Sequence, residues 1–141
     1  MSHCTYHNPA GFSQELSDGF GYSQAVSVGP NLVKLSGQGG FAADGSINAS
    51  NYEAQVRNAF KNVERVLTSA GVKNGWDAVF AVRSYHVSLS RTAEIFTKVF
   101  KEYAPHRPVW TCVTVPELAL PEMVIEVEVE AWRGGKPTAH L

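Results

Sequence analysis

A chain of 141 residues with 12 Lys plus Arg against 13 Asp plus Glu and 44% hydrophobic residues suits one well-buried domain, not two. Composition near the globular average excludes a disordered, collagen-like or coiled-coil chain, and a formal net charge of −1 gives no electrostatic case for nucleic-acid binding. No apolar run approaches the roughly 18 residues of a membrane span, and two cysteines cannot build a disulfide framework, so the expectation is a cytoplasmic chain with no membrane partner.

The first twenty residues, rich in Ser, Gly and His, are expected to run irregularly. Residues 21–133 read as a single domain, and 134–141 as a flexible tail. Tyr22 to Val28 has strand composition, Gly29-Pro30-Asn31 a turn, and Leu32 to Leu35 a second strand. Ser36-Gly37-Gln38-Gly39-Gly40 follows, where glycines allow close backbone approach. From Asn51 the period becomes helical: Val56, Ala59, Phe60, Val63, Val66, Leu67 and Ala70 share one face. Ser50 with Glu53 has capping-box spacing, and Gly71 suits the C-terminal end.

Ala78 to Leu89 is β-branched and aromatic, hence a long strand. A second helix carries Ile95, Phe96, Val99, Phe100 and Tyr103 on one face and stops at Pro105. Trp110 to Val115 is another strand. Val124 to Trp132 alternates, with Ile125, Val127, Val129 and Ala131 on one side and Glu126, Glu128 and Glu130 on the other. The order β-β-α-β-α-β-β predicts an α+β two-layer sandwich. Two helices cover one face of such a sheet, and a second copy of the chain is the candidate cover for the other.

Few residues have the spacing of a reactive site. His3 and His7 lie four apart, but Pro9 and Gly11 argue against a helix there, and no HExxH or CxxC occurs, so neither a metal nor a cofactor is expected. There is no GxSxG, and the glycine segment matches neither a Walker loop nor a dinucleotide fingerprint. Cys112, between Thr111 and Val113, reads as a packed strand residue, with a pocket thiol as the alternative. Three like charges on one strand face belong in water. If that face lines a cleft, a desolvated carboxylate there acquires a raised pKa and can handle a proton or activate water.

Gly21-Tyr22-Ser23-Gln24-Ala25, Leu35-Ser36-Gly37-Gln38, Gln55 with Asn62, the strand Val79 to Val87 and the closing stretch Pro108 to Trp132 together resemble the Rid family, the YjgF or L-PSP type of imine deaminase. The resemblance implies a chorismate-mutase-like sandwich, homotrimeric with clefts between subunits, that hydrolyses reactive 2-imino acids to 2-oxo acids and ammonia. It implies an atypical member as well. The family's Pro-x-Arg-Ser/Thr-Cys reads Pro108-Val109-Trp110-Thr111-Cys112 here, so an indole stands where the substrate-binding Arg belongs. A guanidinium offers two parallel charge-assisted donors to a carboxylate, an indole only one N–H and a large apolar face. Arg107 lies three residues earlier, an odd offset that changes the strand face.

The resulting expectation is a small-molecule enzyme working on an imine, enamine or carbonyl compound, with weak or no standard 2-iminopropanoate deaminase activity. Glu126 handles water or a proton and Tyr22 forms a polar wall. Ser36 and the Gly37 to Gly39 backbone donate hydrogen bonds, and Trp110, with Thr111, Cys112 and Arg107 nearby, receives the substrate. A non-catalytic ligand-binding or scaffold trimer is the alternative, and a ribonuclease reading is disfavoured by the near-neutral charge.

Overall fold

A computed structural model describes residues 3–134. In chain order they form β1 (Cys4–His7), α1 (Phe12–Phe20), β2 (Ala25–Val28), β3 (Leu32–Leu35), β4 (Gln38–Gly39), α2 (Tyr52–Ser69), β5 (Val79–His86), α3 (Leu89–Tyr103), β6 (Val109–Thr114) and β7 (Ile125–Trp132). The class is α+β, with all seven strands in one sheet of order β1-β2-β3-β7-β5-β6 and β4 also paired to β7. Neighbours run antiparallel except β5 and β6, which are parallel and joined through α3.

β7 is the centre of this sheet because strict alternation gives it one fully apolar face. Ile125, Val127, Val129 and Ala131 are all 0% exposed. The stripe on α2 (Val56, Ala59, Phe60, Val63, Val66 and Leu67) is buried over them, and Phe96 and Val99 of α3 complete the layer. Phe60 is the hub, stacked on Trp76 at 4.6 Å and tilted against Phe96 and Tyr103 at 5.2 Å. The Trp76 indole N–H donates to Phe60 O, so this large ring is buried with its polar atom satisfied. On the opposite face lie Glu126, Glu128, Glu130, Arg83, Tyr85 and Lys34. No helix of the described residues is long and apolar enough to cross a membrane.

Three expectations require correction. The described part of the first twenty residues, 3–20, is not irregular throughout: β1 pairs with β2 from Cys4↔Val28 to His7↔Ala25, and α1 follows. β1 has little apolar pattern of its own and is held by its partner's ladder. The signal for α1 is Phe12, Leu16 and Phe20 at i, i+4 and i+8, and Gly21 (φ 73°) ends the helix in the left-handed region. The cap of α2 is Asn51 rather than Ser50, since Asn51 Oδ1 accepts from Ala54 N while Asn48 engages Ser50. Glu53 turns outward to Arg57 and Lys98 instead of closing a capping box. The glycine segment also contains a strand, β4, which pairs Gln38↔Val127 and Gly39↔Glu126. The expected tail lies, apart from Gly134, outside the described residues.

Candidate functional site

The three glutamates of β7 have three different environments. Glu130 forms ion pairs with both Lys34 Nζ (3.4 Å) and Arg83 Nη2 (3.3 Å), accepting a hydrogen bond from the latter. Glu128 accepts from the Tyr85 hydroxyl at 2.6 Å, which raises the tyrosine pKa. Glu126 has no hydrogen bond or ion pair among the described residues. Burial, and secondarily the neighbouring Glu128 charge, push its pKa above the ordinary carboxylate value. This carboxyl group holds its proton more tightly than an ordinary carboxylic acid and is open to a new partner.

Glu126 lies on the wall of a cavity of about 340 Å³. Three segments build the rest: the inner side of α1, the 37–41 stretch, and the loop leading into β7, with Asn62 and Arg65 contributed by α2. Gln55 ties the loop leading into β7 to α2, donating to Glu122 O and accepting from Val124 N, and also donates to Asn48 O before the helix (2.9 Å to each carbonyl). Asn62 donates to Gly39 O and Phe41 O at 2.9 Å, pinning the glycine stretch. That stretch needs its glycines for close approach. A Cβ on Gly40 would meet the Gln55 backbone, with Gln55 O at 2.5 Å, and one on Gly37 would overlap the Glu126 carboxylate. The acid can lie where it does because residue 37 has no side chain.

A buried polar lattice backs the cavity. Gln24 Nε2 donates toward Ser13 O, Ser17 Oγ and Tyr22 Oη (3.1–3.2 Å), and Gln24 Oε1 accepts from Gln38 Nε2 at 2.9 Å. Gln24 and Gln38 are 2% and 5% exposed, so this lattice is a fixed part of the fold.

The structure brings Tyr22, Gly37 and Glu126 together on this cavity. Ser36 lines a shallower neighbouring depression of about 290 Å³ with Tyr22 and Lys34; its Oγ donates to Ser23 O and its N–H to Gln24 O, so both donors are occupied within the chain. The other anticipated residues stand apart in the protomer. By register with Val82, Trp110 points to the helix face of the sheet, opposite Glu126. There it stacks on Phe96 (5.1 Å, 20°), contacts Phe100 at 5.4 Å, and donates its indole N–H to Ser84 Oγ at 2.9 Å. Cys112 shares that face, Thr111 is exposed on the other, and Arg107 is exposed in the turn before β6 with φ 60°.

Ser84 continues inward to His86 Nε2 (2.8 Å), and His86 Nδ1 reaches Thr92 Oγ1 (2.7 Å), which donates to Ser88 O. With Trp110 donating at one end and Thr92 at the other, the directions are consistent with a neutral His86 protonated on Nδ1. Burial lowers the His86 pKa accordingly. Among the described residues, no group of three or more His, Cys, Asp and Glu is placed to hold a metal ion.

Among the cavity's polar residues, Ser13, Gln24, Gln38, Asn62 and Arg65 were not candidate site residues in the sequence. Their signal was present in part: Gln55 and Asn62 are polar residues seven apart beside the apolar stripe of α2, which places both against the chain interior.

Residues 13–132 match the profile of the endoribonuclease L-PSP family. No curated protein matches significantly. Among solved structures, the structural-genomics protein YJGH is 33% identical (TM-score 0.80), covering 93% of this chain and 97% of its own. A Mycobacterium tuberculosis member of the highly conserved YjgF/YER057c/UK114 family is 28% identical (TM-score 0.76), covering 92% and 98%. E. coli TdcF with bound serine is 25% identical (TM-score 0.69), covering 80% and 88%.

Proposed function

The chain belongs to the endoribonuclease L-PSP (YjgF/Rid) family, and from that premise we propose that it acts on a small imine, enamine or carbonyl compound by Glu126-assisted water addition or proton transfer. The observation that carries the reading is the lone, desolvated carboxyl of Glu126 on the wall of a ligand-sized cavity. A raised pKa suits both halves of imine hydrolysis. As base, Glu126 takes a proton from water as its oxygen bonds to the imine carbon. As acid, it returns that proton to nitrogen to give the carbinolamine; it then takes the hydroxyl proton and delivers it to nitrogen as the C–N bond breaks, leaving a carbonyl compound and ammonia. Tyr22, oriented by Gln24, supplies a hydroxyl to the same space.

Weak or absent turnover of 2-iminopropanoate is part of this reading, because the chain lacks the family's carboxylate-binding Arg and the residue in its place, Trp110, is turned to the helix face by Phe96 and Ser84. The reading includes a cytoplasmic homotrimer, supported by Phe80, Val109 and Trp132, apolar side chains 40%, 71% and 50% exposed in the protomer. A binding role without turnover is favoured by the largely apolar lining of the cavity and by the relative that holds serine, itself an amino acid.

Ammonia release from uncharged imines separates the two. Glu126→Gln is expected to lower kcat by about 10²–10⁴-fold. Wild-type turnover that Glu126→Gln leaves intact, or no wild-type turnover on any imine alongside retained ligand binding, would replace the enzyme reading with the binding one.

A further inference from the structure

The cavity contains a cation that the reaction above does not use. Arg65 stands on α2 three residues after Asn62 and lines the same space as Glu126. Its Nη2 donates to two neutral acceptors, Ser13 Oγ at 2.8 Å and Asn62 Oδ1 at 3.3 Å. Its Nε is buried with no acceptor. The ion pairs of the described residues go to Lys34, Arg57, Arg83 and Lys98, and none to Arg65.

A guanidinium held by neutral groups, with a buried donor left over, is incompletely satisfied. Its fixed fork matches the two oxygens of a carboxylate. Much of the remaining lining is apolar: Phe12 and Leu16 from α1, Phe41, Leu120 and Met123. At about 340 Å³ the space is at the small end of ligand pockets.

We propose that Arg65 anchors the carboxylate of a monocarboxylic acid whose aromatic or branched apolar body fills the space beneath α1. This deepens the preceding reading, on which it rests for the cavity's being the working site. It places the anion-binding group on a helix wall of the protomer, far in sequence from the strand position that Trp110 occupies. A carboxylate is favoured over a phosphate because Arg65 is the one cation among the lining residues and its fork satisfies two oxygens, while Gln24, Gln38 and Asn62 already spend their amide donors within the chain. Desolvation raises the Glu126 pKa, which lessens its repulsion of an entering anion.

The probe pair is 3-phenylpropanoate and its uncharged analogue 3-phenylpropanamide, titrated calorimetrically into the full chain. The acid is expected to bind the wild type at least about tenfold more tightly than the amide. Arg65→Met is expected to erase that preference and leave amide affinity unchanged, and Arg65→Lys to retain part of it. The wild-type comparison needs no variant to fold. Equal affinity for acid and amide, or binding of neither at millimolar concentration, would overturn the assignment. Uncharged imines have no carboxylate for Arg65 to hold, so failure here leaves the Glu126 chemistry to its own test.

Discussion

Replacing Trp110 by Arg restores the side chain that the family pattern places between Pro108 and Cys112, and the packing around the indole sets the penalty. Trp110 is 38% exposed on the edge strand β6, so about 140 Å² of its side chain is covered by α3 and β5. At ~25 cal/mol per Å² that contact stabilises the protomer by about 3.5 kcal/mol. The methylene stem of an arginine recovers ~1 kcal/mol. Its guanidinium can still donate to Ser84 Oγ but faces the rings of Phe96 and Phe100 from the position the indole leaves. Trp110→Arg is therefore expected to lose about 2–3 kcal/mol, a fall in Tm of roughly 6–12 °C for a chain of this size. Urea unfolding followed by the remaining Trp76 and Trp132 measures it. No gain in 2-iminopropanoate turnover is expected, because the residue lies on the sheet face away from Glu126. A variant as stable as the wild type that also gains deaminase activity would refute this reasoning and make the indole a substrate-site residue.

The acid–base groups give predictions of opposite sign. For Glu126 the folded-state pKa is raised above 4.5, so the native state holds more protons and stability falls as pH rises through the interval between 4.5 and the raised value. Glu126→Gln removes that slope and is more stable than wild type above the interval; calorimetric melts across pH 4–8 test it, and an unchanged slope would contradict the desolvated carboxyl. For His86 the folded pKa is lowered from 6.5, so stability falls as pH drops below 6.5 and the unfolded chain takes the proton first. Nitrogen-15 NMR is expected to show His86 neutral with its proton on Nδ1, and an Nε2–H tautomer would break the proposed direction of the Trp110–Ser84–His86–Thr92 chain. Gly37→Ala is expected to leave Tm nearly unchanged, since the atoms it displaces are the far end of a flexible side chain, yet to return the Glu126 pKa toward 4.5 and abolish turnover.

Much of the fold is legible in the residues because its strongest elements have regular periods. The alternation of β7 and the apolar stripe of α2 each specify a buried face, and those two faces meet. β1 escapes a sequence reading because its order comes from pairing with β2, and β4 because two residues among glycines carry no pattern. At the site, Glu126 and Tyr22 were readable from the strand comb and the resemblance. Arg65 was not, since an arginine on a helix looks solvent-facing until α1, itself hidden in a Ser- and Gly-rich segment, is laid against it through Ser13. Trp110 shows the reverse difficulty: its chain position invites a functional role, whereas in the protomer it packs on Phe96 and Phe100 and donates to Ser84.

The empty place at residue 37 links two sites that are ninety residues apart in the chain. Any larger residue there evicts the acid, and any acid retained there forbids a larger residue, so the two positions can change only as a couple. Related chains can thus be sorted from text alone: those that pair a glycine here with a glutamate on the last strand keep a seat for the carboxyl, and those with a bulkier residue have surrendered it.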